Sequence, residues 1–287
     1  MPHQPSIEIS GNSGCTVRLL THDQRIMVEK ECALPSYIPR LQAQIRKQDN
    51  FRHALTNPAI IVPELYDEAD NPGLYSARME FLPYLNFIDF LGVCSVPALM
   101  QSIKAIEGFI DHNLRTEYQT VNTSALLKLD EISRNVSGEP HKQEIDQLFG
   151  NKLRDRLTKK EINIPNGWCH GDFTLSNIVF SANGNCIGLF DFLDSYIDSP
   201  IMDLVKLRQD THLHWSLTKS KKPFSHLRVC QGLRQLDIFT KSKLSALGIS
   251  GKEYNILQSV NVLRILPYAN DTTTLNFIQT SLKTLED

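Results

Sequence analysis

Hydrophobic periodicity changes once along this 287-residue chain, near Pro83, and that change limits the folds open to it. Upstream, short runs alternate with period two. Residues 7–10, 15–20 and 25–30 read as strands, the first two separated by a turn at Gly11-Asn-Ser-Gly14 that includes Ser13. Ile26, Val28 and Lys30 then share one face, which predicts a hairpin pair carrying a lysine on its inner side. Residues 39–50 carry Leu41 and Ile45 at helical spacing, and strands are expected at 60–65 and 74–81. Downstream, Leu99, Ile103, Ile106, Ile110 and Leu114 step by 4, 3, 4 and 4 behind a Ser95/Pro97 start. Further helices are expected at 124–134, 143–157 and through most of 200–287. The fold class is α+β, with a small antiparallel-sheet lobe at residues 1–84 and a larger, mainly helical lobe at 85–287.

Composition narrows the function classes. Hydrophobic residues make up 41% of the chain and charged residues 22%, the usage of a globular protein with a sizeable core. The formal charge of −2 argues against a globally basic nucleic-acid binder. That sum conceals an asymmetry: residues 1–203 hold 18 basic and 26 acidic side chains, net −8, and residues 204–287 hold 12 and 6, net +6. The 6 cysteines contain no CxxC pair and fit no zinc or disulfide framework, so buried free thiols are expected. No basic-then-apolar leader is visible at the start, and the longest uncharged apolar stretch, residues 90–100, contains Pro97 and falls short of the roughly 18 residues of a membrane span. A cytoplasmic location without a membrane span is the expectation.

The chemistry is concentrated in residues 168–203. His170-Gly-Asp172 is followed five residues later by Asn177, and then by a hairpin pattern: Ile178-Val-Phe180, a Ser-Ala-Asn-Gly-Asn turn, and Cys186-Ile-Gly-Leu-Phe190. A hairpin returns the chain to its origin, so Asn177 and Asp191 should lie side by side at its open end, with Asp172 on the loop leading in. An amide oxygen beside a carboxylate suits a hard cation such as Mg²⁺, which leaves its other positions to water and phosphate oxygens. A neighbouring carboxylate can then hold and deprotonate an attacking hydroxyl while the metal neutralises a transferred phosphoryl group. The bland alternative is a set of turn-capping polar residues around a hairpin.

These residues resemble the aminoglycoside phosphotransferase and choline kinase-like family of small-molecule kinases, whose pattern is HGDxxxxN, then I-D-[FW], then D-P-x-x-D-L. Here the matches are His170-Gly171-Asp172 with Asn177, Phe190-Asp191-Phe192, and Asp198-Ser199-Pro200 with Asp203-Leu204. The resemblance implies a protein-kinase-like two-lobed fold, with Asp172 as catalytic base, Asn177 and Asp191 as Mg²⁺ ligands, and His170 and Asp203 as anchors of the loop. It further implies ATP or GTP as co-substrate, covered by Gly11, Ser13 and Gly14, with Lys30 reaching the phosphates and the backbone of Glu80, Phe81 and Leu82 meeting the base. Trp168 and Cys169 are expected in the core, while Asp194 and Tyr196 are candidates to touch substrate, against a solvated or helix-capping role for Asp194.

One feature departs from the family. The helix after the lysine strand should present a glutamate to that lysine, yet residues 40–50 contain none and offer Gln42, Gln44 and Gln48. A glutamine, Glu29 or Asp49 could take its place, or the nucleotide site is weakened. The last option leaves a regulatory, nucleotide-binding pseudokinase as an alternative to an enzyme. A protein kinase is disfavoured because HRD and DFG sequences are missing.

The acceptor is then a small molecule bearing a hydroxyl. A pocket for polycationic aminoglycosides would be lined with acids, whereas the C-terminal third is net basic. A neutral or anionic sugar-type acceptor is favoured over an aminoglycoside or amino alcohol, which remain the alternatives. The tail from residue 263 onward also resembles members of the family linked to surface-polysaccharide metabolism.

Overall fold

The computed structural model describes residues 6–9, 15–22, 25–218, 220 and 222–286. In chain order the strands and helices before the long central helix are β1 (Ser6–Ile9), β2 (Thr16–His22), β3 (Arg25–Cys32), α1 (Ile38–Ala54), β4 (Ile60–Ile61), β5 (Leu65–Asn71), β6 (Leu74–Glu80), β7 (Leu85–Asn86) and α2 (Phe87–Val93). They lead into α3 (Val96–Asn113), β8 (Leu114–Thr120), α4 (Asn122–Asn135), α5 (Pro140–Ile145), α6 (Asn151–Lys159) and β9 (Asn163–Gly167). The remainder is β10 (Ile178–Phe180), β11 (Ile187–Leu189), α7 (Pro200–Thr211), α8 (Trp215–Thr218), α9 (His226–Ala246), α10 (Gly251–Leu263) and α11 (Thr272–Thr284). The architecture is the expected α+β one, with an antiparallel sheet first and helices dominating later.

The chain clusters into two compact units. One comprises the residues up to Ile106 together with Ser176–Asp194; the other comprises Glu107–Leu175 and Ser195–Asp287.

In the first unit, β1-β2-β3-β6-β5 form an antiparallel sheet whose two faces differ sharply. Val28, Lys30 and Cys32 of β3 stand opposite Met79, Ala77 and Tyr75 of β6. With Leu41 and Ile45 of α1, the apolar members build the buried core of this sheet. Leu41, Ile45 and Met79, buried to within 2% of completely, each contribute on the order of 1.5–3 kcal/mol when withdrawn from water. On the other face, Arg18, Glu29 and Arg78 are directly opposed across three strands, and Glu29 receives the Arg78 Nε–H at 3.0 Å. Strand β5 (LYDEADN) has no counterpart among the expected strands because an exposed edge strand needs no apolar alternation. Of the expected 60–65 strand, Ile60–Ile61 form β4 and Leu65 opens β5, while residues 62–64 lie outside any strand.

The second sheet of this unit has the order β4-β11-β10-β7, and its centre is the hairpin of β10 and β11, paired Ile178↔Leu189 and Phe180↔Ile187. Phe180 stacks on Phe90 of α2 at 4.7 Å between ring centroids, and Phe192 packs on Phe51 of α1 at 4.8 Å. The hairpin turn is pressed against the start of α3. Gly184 has φ +73°, and a Cβ there would stand 1.9 Å from the Ala98 carbonyl oxygen.

In the second unit the expected helix over 143–157 is interrupted by a wide π-type turn at Asp146–Gly150. Within it the Asp146 carboxylate accepts from Ser133 Oγ of α4 at 2.6 Å and sits where a Cβ on residue 150 would fall, 2.7 Å away. Helix α3 stops at Asn113 rather than continuing through Leu114, because β8 leaves there to pair antiparallel with β9. Neither strand of that ribbon shows a sequence signal. Around α7 pack α9 and α10, the latter started by a reciprocal Ser250/Glu253 capping box and buried almost continuously from Tyr254 to Leu263. No helix among the described residues is long and apolar enough to cross a membrane.

Substituting Gly184→Ala should cost about 3 kcal/mol, because the positive φ and the backbone clash act together. Urea or thermal denaturation will read it as a clear fall in midpoint, and an unchanged midpoint would show that the turn does not seat against α3 in this way.

Candidate active site

Helix α7 begins as a capped, proline-started helix. Ser199 accepts the Ile201 N–H at 3.2 Å and donates its hydroxyl to the Pro165 carbonyl at 2.6 Å, and Pro200 occupies the first turn. Every residue of α7 is buried, including its charged ones. Asp203, Lys206 and Asp210 fall at i, i+3 and i+7, on one stripe. That stripe holds the loop ahead of the hairpin. The Asp203 carboxylate accepts the N–H of His170 at 2.7 Å and of Gly171 at 3.0 Å. Lys206 Nζ meets Asp172 Oδ1 at 3.1 Å, and Asp210 accepts the N–H of Leu175 at 2.6 Å and of Ser216 at 2.8 Å.

Gly171 makes this geometry accessible: its φ of +86° lets consecutive N–H groups converge on one carboxylate. The fully buried His170 accepts the Asp172 N–H on Nδ1 at 3.2 Å and packs edge-on against Phe173, so its visible contacts are those of a brace within the loop.

Burial alone would push the Asp172 carboxyl up. The charge and hydrogen bond of Lys206, with further help from His170 and Arg264, more than reverse that and leave Asp172 below the usual carboxylate range. Lys206 is lowered, because burial and the Arg264 charge outweigh the attraction of Asp172. Burial also pushes Asp210 up to about 6, against the pull of its Ser216 and Leu175 hydrogen bonds. Despite its setting, the Asp172 side chain remains 28% accessible. A carboxylate kept charged, oriented and reachable can accept a proton from a hydroxyl brought to it. Tyr196 lies in the same unit, with Arg264 over its ring at 5.2 Å and its hydroxyl buried without a hydrogen-bond partner among the described residues.

In the first unit the β10–β11 hairpin carries Asn177 and Asp191 to one end, where the Phe190 N–H donates to the Asn177 carbonyl at 3.3 Å. Asp191 adopts a positive φ of 63°, one of only two non-glycine residues to do so among the described residues, as befits a residue forced round at a strand end. Lys30 Nζ donates directly to Asp191 Oδ1. Burial lowers the lysine to about 8, with Cys15 opposing. The acid that meets Lys30 is therefore none of those anticipated. Glu29 is engaged by Arg78 and Arg18, Asp49 lies against His53, Gln42 donates to Asp70, and Gln48 donates to the Pro63 carbonyl.

Glu80 is the last residue of β6 and gives its N–H to the Glu64 carbonyl at 2.8 Å, while Phe81 and Leu82 follow it out of the sheet. Leu82 lies over Gly188, where a Cβ would approach it to 2.5 Å. Asp194 is exposed. Gly11, Ser13 and Gly14 lie outside the described residues. Two core expectations need correcting. Trp168 is 50% exposed, with Arg115 over its ring at 5.2 Å, although Cys169 beside it is fully buried. Of the six cysteines, none of them in a disulfide, only Cys32 and Cys169 are buried; the others are half-buried.

Sequence reasoning missed Lys206 and Arg264. Lys206 left a signal: in an otherwise apolar start to the helix, Asp203, Lys206 and Asp210 already share a face. Arg264 left none, because nothing local ties residue 264 to residue 172.

A strand-first, helix-later fold whose loop presents a charged, accessible aspartate is compatible with a phosphotransferase. The chain belongs to the phosphotransferase enzyme family, whose model matches residues 9–220. Solved structures agree on the fold at low identity. Aminoglycoside phosphotransferase APH(4)-Ia superposes with a TM-score of 0.65 at 11% identity, covering 98% of this chain and 92% of its own. An ethanolamine kinase from Plasmodium vivax gives 0.58 at 14%, covering 99% and 82%. A search of the curated proteins finds no match.

Replacing Asp203 by Asn keeps the shape but turns an amide N–H₂ toward one of two buried N–H donors, which should cost about 3 kcal/mol. Denaturation of Asp203→Asn should show that loss. Stability within about 0.5 kcal/mol of the parent would contradict a staple at this position.

Proposed function

We propose that this kinase transfers the γ-phosphoryl group of ATP or GTP to a hydroxyl of a small, neutral or anionic, sugar-type acceptor. The observation that carries the reading is the Asp172 carboxylate, ion-paired by Lys206 at 3.1 Å yet 28% accessible. Asp172 orients the acceptor hydroxyl and takes its proton as the oxygen bonds to the γ-phosphorus. The bond from that phosphorus to the bridging oxygen breaks, and the nucleoside diphosphate leaves with the electron pair. His170 and Asp203 act through the loop, holding Asp172 in place.

Nucleotide binding is assigned to residues 1–84, with Lys30 for the phosphates, the backbone of Glu80, Phe81 and Leu82 for the base, and Gly11, Ser13 and Gly14 as further nucleotide-binding candidates. The acceptor is assigned to residues 85–287, with Tyr196 beside it and Asp194 as a further candidate. A thermostable mutant of APH(4)-Ia has been crystallised with ADP and hygromycin B, which supports a nucleotide and a small acceptor here by analogy of fold.

Mg²⁺ fits the donor set. Asn177 and Asp191 supply hard oxygens at the hairpin end, and no group of three or more His, Cys, Asp or Glu residues able to hold a metal ion occurs among the described residues. Two protein oxygens are what a cation that also binds phosphates requires. When bound, it would neutralise charge on the transferring group. Cysteines outside any disulfide are in keeping with the cytoplasm. A part in surface-polysaccharide metabolism rests on the resemblance of the tail after residue 263.

Offered a panel of sugars, sugar acids, sugar phosphates and amino alcohols with MgATP, the protein should release ADP with at least one acceptor. Asp172→Asn should reduce turnover at least about a hundredfold while retaining nucleotide affinity by calorimetry; equal turnover would remove Asp172 from the chemistry. Lys206→Met provides a pH test. With the lysine charge removed, burial raises the Asp172 carboxyl, so the acid limb of kcat/KM should move to higher pH. A limb that stays put or moves down would separate Asp172 from the titrating base.

A further inference from the structure

The charge around Asp172 is more specific than the net charge of the C-terminal third. Several basic residues of that third are already spent. Lys206 is paired with Asp172, Arg208 with Asp237 at 2.8 Å, and Lys243 with both Glu107 and Asp111 at 3.1 and 2.7 Å. Lys206 and Lys243 therefore meet acids outside the stretch, and composition alone does not define a pocket.

Arg264 is different. It closes α10, is only half-buried, and among the described residues meets no carboxylate within 4 Å. Its guanidinium lies 5.2 Å from the centroid of the Tyr196 ring. It is also close enough to Asp172 and Lys206 to act on both through its charge. Beside it, the Tyr196 hydroxyl is buried and meets no hydrogen-bond partner among the described residues, a costly arrangement for a group that can donate a hydrogen bond. The carboxylates near this place are committed: Asp172 to Lys206, Asp203 to two backbone N–H groups, and Asp210 to two more. A guanidinium with spare donors next to a spare hydroxyl is a site for a carboxylate or phosphate group.

We infer that Arg264 and Tyr196 form an anion-binding subsite, and that the acceptor is a hydroxyl compound bearing a carboxylate or phosphate, held there while its hydroxyl meets Asp172. This rests on the kinase reading above and names its substrate class. Lys206 complements the arrangement: by neutralising Asp172 it removes the repulsion that the base would otherwise exert on an anionic acceptor.

The test uses matched acceptors that differ in charge: glucose, glucosamine, glucuronate, glucose 1-phosphate, ethanolamine and glycerate. ADP release is followed with MgATP, and direct binding of glucuronate and glucose 1-phosphate is measured by calorimetry. Arg264→Gln, Arg264→Lys and Tyr196→Phe are compared with the parent, with thermal melts to establish that each folds.

Turnover should favour the anionic members over their neutral and cationic counterparts. Arg264→Gln should raise KM for them at least about tenfold, Arg264→Lys should restore part of the loss, and the acid limb of kcat/KM should move to higher pH by less than in Lys206→Met, because the Arg264 charge is the weaker of the two holding Asp172 down. Turnover of glucose, glucosamine or ethanolamine in preference to the anions, or a KM unmoved by Arg264→Gln, would overturn the subsite and leave the kinase standing. Arg264-dependent anion binding without any turnover would uphold the subsite as an anion site and refute its acceptor role. Neither binding nor turnover across the panel would sink both.

Discussion

The buried carboxylate of Asp203 is the contact on which the candidate site depends. Two backbone N–H groups of consecutive residues end on its two oxygens, and a glycine with positive φ between His170 and Asp172 lets them converge. Charge-assisted hydrogen bonds in a water-poor interior are among the stronger polar contacts, and they are costly to leave unmade. The loop is thereby attached to a helix whose own start is locked by Ser199 and Pro200. This attachment sets the orientation of Asp172.

Helix α7 distributes its polar groups so that each is answered. One stripe, Asp203, Lys206 and Asp210, faces the loop; Arg208 pairs with Asp237 of α9 while lying 4.1 Å from the Tyr254 ring of α10, and Gln209 accepts from Asn261 at 2.8 Å. A helix buried on all sides tolerates so many charged residues because the partners come from different elements. Packing and chemistry are thus joined: the contacts that seat α7 against α9 and α10 also set the height of the stripe that holds the loop.

In the first unit a comparable economy appears at Lys30. The family pattern places its acidic partner on α1, and α1 presents glutamines instead. Asp191, at the end of the hairpin, takes that place. A lysine on the core face of a strand, between Val28 and Cys32, cannot stay charged without an anion, and among the described residues Asp191 is the one that meets it. Lys30 and Asp191 are therefore coupled, and anything that engages one acts on the other.

How much of this was legible beforehand depended on sequence distance. The change of periodicity near Pro83, the hairpin at 178–189 and the onset of helix at residue 200 are local matters, governed by side-chain alternation and turn residues a few positions apart, and they could be read from the chain. The polar edge strand β5, the β8–β9 ribbon and the π-type turn at Asp146–Gly150 could not. Each is sustained by a partner from elsewhere rather than by its own pattern. Motif spacing likewise singled out Asp172, Asn177 and Asp191, because five residues and one hairpin separate them. Which cations would stand beside the acids was another matter. Lys206 lies 34 positions beyond Asp172, and Lys30 lies 161 positions before Asp191. Contacts at those separations are chosen by how helices and strands pack, which sequence periodicity alone leaves open.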